Sequence, residues 1–328
     1  MNSTAFSAPN LKRFARCLLP FVAAMGILSF SGCAGSKVRA QETASGKDSS
    51  AEVFGPKAPE GISAAVPSYG PEPFQVRPLV VILGPGLARG YAHAGVLRAL
   101  EQEKIPIAGV FGTEMGAWVG SVYAASRSIH EFEFLLMRFR PSAFARPQGI
   151  LSGFGSGENR GGELEDSLEK TFGAKEFRET RVSLHLLAQK KSGRVAVIDS
   201  GQISRAVRAV MGAPGWMSSS EHEGELTHSS GSVRAFPIQE ARAWHPQLPI
   251  LVVDVSLPIP KNDSVAGPLF ADFAVQARAL GQQPEVILRP KLDSVGPWDF
   301  ERRNEAIFAG KAAVKEQLAW IKRVVGMP

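Results

Sequence analysis

Five apolar residues in a row, Leu79–Leu83, lead straight into the turn Gly84-Pro85-Gly86-Leu87-Ala88-Arg89-Gly90. No other feature constrains the fold as strongly. An uninterrupted apolar strand has no polar face to offer water, so it belongs inside a sheet covered on both sides. The turn is followed by a helical pattern over 92–103, with Ala92, Val96 and Leu100 on one face. The order then repeats: an apolar strand over 107–111, a turn containing Gly112, and a helix over 115–126. Two consecutive strand–turn–helix units imply parallel strands joined by right-handed crossovers, and therefore an α/β domain with a mostly parallel central sheet flanked by helices.

Further strands are expected at 183–188, 195–198, 250–255 and 285–288, with helices at 162–172, 203–211 and 266–280. A last helix over 302–325 carries Ile307, Val314, Leu318, Ile321 and Val325 along one stripe. No internal repeat or compositional break divides the region, so 78–328 is expected to be a single domain. The two cysteines, Cys17 and Cys33, fall outside it, which leaves no disulfide or cysteine-based metal site within the domain.

Residues 1–33 have the layout of an export signal. Lys12, Arg13 and Arg16 precede an apolar stretch over 18–30, which is shorter than the roughly 20 residues a membrane span needs. Those three cations supply half of the chain's net charge of +6. The mild remainder excludes the concentrated basic face of a nucleic-acid-binding protein. The stretch closes on Ser31-Gly32-Cys33, which resembles the lipobox of bacterial lipoproteins, although Phe30 stands where that pattern usually has leucine. The resemblance implies acylation of Cys33 and loss of Cys17 with the signal. The competing possibility, plain secretion with cleavage at Val38-Arg39-Ala40, places the cut ten residues beyond the apolar stretch. Residues 34–77 are rich in Ser, Gly, Ala and Pro without apolar periodicity, and are expected to act as a flexible tether. Ala34 is not the aspartate that retains lipoproteins at the inner membrane of Gram-negative cells, so the expected location is the outer membrane, facing the periplasm.

The segments VVILGPGLARGYAHAGVL (80–97) and VFGTEMGAWVGSVYAAS (110–126), taken together with their spacing, resemble the patatin-like phospholipases. The resemblance continues through KKSGRVAVIDSGQISRAVRAVMGAPG (190–215), GELTHSSGSVRAFPIQEAR (224–242) and PILVVDVS (249–256). It implies a lipid acyl hydrolase fold. In that family the first glycine-rich loop supplies oxyanion-hole amides, a Gly-x-Ser-x-Gly elbow carries the nucleophile, and an Asp-Gly-Gly or Asp-Gly-Ala motif supplies the base. The loop corresponds here to Gly84, Gly86, Leu87, Arg89 and Gly90.

The reaction centre departs from the family. The elbow reads Gly112-Thr113-Glu114-Met115-Gly116, with Glu114 in place of serine, and the second motif reads Ser229-Ser230-Gly231, with Ser229 in place of aspartate. Pro85 has no N–H to donate, and Leu87 adds a side chain to the loop. Both catalytic positions are substituted, so no catalytic residue is expected.

Two rescues are conceivable. Glu114 could act as a carboxylate nucleophile with His228 as base, or Ser229 could attack with Glu114 as its base. Both define an alternative, a lipid acyl hydrolase with a rearranged Glu114/Ser229/His228 site. The leading expectation is a non-catalytic protein that binds a lipid, a fatty-acyl chain or a protein partner. A purely structural envelope lipoprotein is the third class. His93 is expected to be structural. Asp199 and Asp254 lie at strand ends outside the motifs, and Glu101, Glu103 and Lys104 look like a solvated helix end. Arg138, Arg140 and Arg146, interspersed with Phe134, Phe139 and Phe144, either touch lipid headgroups or form a packed helix end. No cofactor is expected, and no spacing of His and carboxylates suggests a metal site.

Overall fold

The computed structural model describes residues 75–140, 161–212, 217–231, 235–256 and 284–328. The signal, Cys33, nearly all of the tether, the helix expected at 266–280, Phe144 and Arg146 lie outside the described residues.

The first strand, β1 (Leu79–Leu83), is fully buried at all five positions. It pairs in parallel with β2 (Ile107–Gly112) on one side and β7 (Ile250–Val253) on the other. Parallel pairing continues from β2 to β3 (Ser183–Lys190) and from β7 to β8 (Val286–Leu288). Strands β4 (Val195–Ile198) and β6 (Glu225–Ser229) both pair antiparallel with β3, and β5 (Ser220–His222) pairs antiparallel with β6. The sheet order is β5-β6-β3-β2-β1-β7-β8, with β4 against β3. The central strands are thus parallel, and the antiparallel pairs gather at one end.

The helices are α1 (Ala92–Gln102), α2 (Met115–Ala125), α3 (Ile129–Arg138), α4 (Gly161–Phe172), α5 (Ile203–Met211), α6 (Ile238–Trp244) and α7 (Arg303–Val325). α2 is buried along its whole length, as its glycine- and alanine-rich sequence requires. α1 and α7 cross at backbone contact. A Cβ added to Gly95 would lie 1.9 Å from the Ile307 carbonyl oxygen, and one added to Gly310 would lie 1.9 Å from that of Ala92. Each helix thus carries a glycine notch that admits the other's backbone, which fixes α1, and with it the loop at its amino end, against the long final helix.

Four elements escape the sequence patterns. The β5–β6 hairpin is built from polar residues and turns at Glu223 and Gly224, both at positive φ (51° and 77°), the conformation a two-residue hairpin demands. α3 begins at Ser128, whose Oγ accepts the Glu131 N–H at 3.2 Å, while Glu131 Oε2 accepts the Arg127 N–H at 2.7 Å. α6 is a short helix of seven residues.

Candidate functional site

Chain geometry brings the two glycine-containing turns together. β1 and β2 are neighbours and run the same way, so the turn after each emerges at the same edge of the sheet. The elbow is sharp. Thr113 N donates to the Leu83 carbonyl at 3.2 Å, Gly116 N donates to Thr113 O at 2.9 Å, and Glu114 between them sits at φ 51°, ψ −118°. A residue with a side chain held there stores about 1–3 kcal/mol of backbone strain. Gly116 is required beside it, because a Cβ would fall 2.1 Å from Leu83 O.

The Glu114 carboxylate turns back onto the first loop. Gly86 N donates to its Oε2 and Leu87 N to its Oε1, both at 3.1 Å. Both carboxylate oxygens are therefore engaged, one to each amide, at the amino end of α2. Although Pro85 has no N–H and Leu87 adds a side chain, the loop keeps two donors. Pro85 sits one residue before the donors, and the Leu87 side chain points into the core while its N–H faces the site. Leu87 reaches this arrangement at φ 49°. Glu114 is only 4% exposed. Burial pushes its carboxyl up to about 8, against the opposing pull of the Leu87 and Gly86 amides.

Two buried side chains hold the loop. Arg89 does not face the site: its Nε donates to Val255 O at 2.8 Å, and its Nη1 to Leu292 O and Val295 O at 2.7 and 2.9 Å. Desolvation lowers its guanidinium to about 10. His93 Nε2 lies 2.7 Å from Gly84 O and must be the protonated nitrogen, since a carbonyl only accepts. Burial holds the ring neutral, down to about 4. Both are loop anchors, and the role of Arg89 was not visible in its place within the motif.

The side chains of the second motif are engaged away from Glu114. Ser229 ends β6, with its N–H on Gly212 O at 2.6 Å and its Oγ accepting Gly231 N at 3.1 Å. Ser230 is buried, and its Oγ donates to Leu187 O at 3.3 Å. His228 bonds through Nε2 to Gln189 Oε1 at 3.0 Å. Adjacent strand residues face opposite sides of a sheet, so His228 and Ser229 cannot converge on one point. Among the described residues no hydrogen bond joins Glu114 to either. The strap that follows does reach the elbow: Ala235 O accepts Thr113 Oγ1 at 3.0 Å, and Phe236 packs on Gly84.

The remaining candidates lie elsewhere. Asp254 accepts Ser256 N, Ser256 Oγ and Arg289 Nε, which makes it a local turn residue. Asp199 follows β4. Glu101 is not a solvated helix end, because it takes the Tyr123 hydroxyl at 2.5 Å and the Arg181 guanidinium. Arg138 lies over the exposed Phe134 ring at 5.3 Å, while Phe139 is buried against Trp118, the arrangement of a packed helix end. Among the described residues there is no group of three or more His, Cys, Asp or Glu able to hold a metal ion.

A parallel sheet that delivers a donor loop from its first strand and a strained strand-to-helix elbow from its second is the scaffold of an α/β acyl hydrolase. Residues 81–242 match the family model of the patatin-like phospholipases, and this part of the chain is a patatin-like phospholipase domain. The chain is 29% identical over 195 residues to lysophospholipase NTE1 of Saccharomyces cerevisiae, covering 57% of this chain and 12% of that protein. It is 31% identical over 204 residues to an NTE family protein of Mycobacterium tuberculosis, covering 58% of this chain and 51% of the relative. The chain thus spans about half or less of the length of these relatives. Among solved structures it resembles VipD of Legionella pneumophila, with a TM-score of 0.48 and 12% identity, over 76% of this chain and 67% of VipD. ExoU of Pseudomonas aeruginosa gives a TM-score of 0.39 at 12% identity, over 74% of this chain and 53% of that one.

Proposed function

We propose that this chain is a catalytically silent patatin-like lipoprotein that acts as a membrane-tethered lipid- or partner-binding protein of the cell envelope. The observation that carries this reading is the Glu114 carboxylate seated on the Gly86 and Leu87 amides. Ester cleavage at an elbow needs a nucleophile, a base beside it and vacant donors for the developing oxyanion. Glu114 removes the serine and fills the donors in one substitution. Loss of a serine nucleophile alone lowers turnover on the order of a million-fold. Against the alternative, a hydrolase using Glu114, Ser229 and His228, stand the His228 bond to Gln189 and the Ser229 contact with Gly231.

Among the described residues no helix is long and apolar enough to cross a membrane, and tethering is proposed through an acylated Cys33. The outer membrane, on its periplasmic side, is the proposed location, on the strength of Ala34.

The test uses the full chain. It should not turn over a short-chain nitrophenyl ester or a lysophospholipid above the level of Glu114→Ala, whereas a Glu114→Ser/Ser229→Asp double variant should gain hydrolysis. Turnover by the natural chain that Glu114→Ala abolishes refutes the proposal in favour of the rearranged enzyme. Fatty acid or lysophospholipid retained without cleavage separates a binding protein from a purely structural one. Cys33→Ser should move the chain out of the membrane fraction.

A further inference from the structure

A histidine with nothing to bond lies beside the elbow strand. His185 of β3 is 4% exposed, and among the described residues neither ring nitrogen has a hydrogen-bond partner. Its ring stacks on Phe111 of β2 with centroids 4.3 Å apart and 17° between planes. The indole of Trp244, the last residue of α6, lies 4.6 Å away. His245 stands edge-on at 6.2 Å, with its Nε2 3.4 Å from Ser183 Oγ. A buried neutral imidazole without partners is already costly. An imidazolium there would bury a charge and two donors at once.

The charged groups nearby do not repair this. Asp199, after β4, favours the cation and His245 opposes it, and burial outweighs both, holding the ring at about 4. Arg242 of α6 points elsewhere, its guanidinium on Leu248 O and Glu285. Relief therefore requires water to reach the ring. The group that yields most readily is Trp244, which is 51% exposed although it covers a buried residue. α6 also leads back to the elbow, since Ala235 and Phe236 immediately precede it and are tied to Thr113 and Gly84.

We propose that His185 and Trp244 form an acid-operated latch, in which protonation of His185 displaces the Trp244 indole and loosens α6 together with the strap of Ala235 and Phe236 over the elbow. An opened His185 titrates near its ordinary 6.5, so the opening equilibrium should rise about 30-fold from pH 7.5 to pH 5.

Hydrogen exchange of the full chain, corrected for the intrinsic pH dependence of exchange, reads this directly. Amides of 236–248 should lose protection about 30-fold between those pH values, and His185→Phe, which keeps an aromatic ring between Phe111 and Trp244, should abolish the loss. Equal protection at both pH values, or the same acid loss in His185→Phe, overturns the latch. Ring titration by NMR gives a second readout that does not depend on that variant folding. His185 should titrate near 4 in the natural chain and move toward 6.5 in Trp244→Ala. A His185 midpoint near 6.5 in the natural chain, or one that Trp244→Ala leaves unmoved, refutes the proposal.

Discussion

Glu114→Gln should remove a pH dependence that the natural chain carries. The carboxyl lies near 4.5 in the unfolded chain and is pushed up to about 8 by burial in the folded one. For an acid whose folded value is raised, the contribution to stability is fully present below 4.5. It is lost as pH rises toward 8, because the unfolded chain releases the proton first. At about 1.36 kcal/mol per pH unit, the whole span corresponds to about 5 kcal/mol. Two other buried groups act in the opposite direction and must be kept apart. His93 and His185 are both held down to about 4, so each contributes stability that is complete above 6.5 and falls away below it. Both histidines are common to the natural chain and Glu114→Gln, so the difference between the two profiles isolates Glu114, a relative loss of about 1.5 kcal/mol between pH 6.5 and 8. Urea unfolding of both chains at half-unit steps measures it. Only the slope is read, because glutamine sets its own NH2 against one of the two loop amides and shifts the absolute value. Parallel profiles for the two proteins refute the reasoning. A natural chain that gains stability relative to Glu114→Gln from 6.5 to 8 does so too, since it would mean that the Gly86 and Leu87 amides outweigh burial and keep the carboxylate ionised.

Gly310→Ala should destabilise the domain by about 1–3 kcal/mol in thermal unfolding, because its Cβ would collide with the Ala92 carbonyl across the α1–α7 crossing. Gly162→Ala is the matched control: it sits in the first turn of α4 with nothing within 4 Å, and should be neutral or stabilising by about 0.5 kcal/mol. Arg89→Met should cost roughly 3 kcal/mol, since it leaves the carbonyls of Val255, Leu292 and Val295 without their charged donor. Arg89→Lys should recover only part of that loss, because an ammonium cannot reproduce the spread of the guanidinium fork. A loss as small as that of a surface substitution would show that the loop does not depend on this anchor.

The parallel half of the sheet was readable because burial on both faces forces a distinctive sequence. Leu79–Leu83 and Ile250–Val253 have no polar position, and glycine marks where each of the first two strands turns. The antiparallel end was not readable, since β5 and β6 are Ser-Glu-His and Glu-Leu-Thr-His-Ser, which carry no apolar alternation. Their signal lay in the Glu223-Gly224 turn alone. α3 was missed although its start carries a local signal, a serine at 128 and a glutamate three residues on. At the site, the motif spacing placed Glu114 on the elbow, but it could not say where a flexible carboxylate would point. Nor could it tell an arginine that faces a ligand from one that braces the chain, because Arg89 finds its partners 166 to 206 residues away. Long-range backbone carbonyls leave no trace in sequence.

The Glu114 contact has a consequence for what the domain can recognise. A carboxyl group with one oxygen on each of two loop amides has the disposition of a fatty acid just released from an ester. The chain carries this product mimic on its own backbone, so it stands in the hole in every folded molecule. A free fatty acid would have to compete with a tethered carboxyl group, whose effective concentration no millimolar ligand matches. Anything that binds this domain meets a loop already settled into its occupied form. A ligand at this loop would have to be recognised through contacts other than the Gly86 and Leu87 amides.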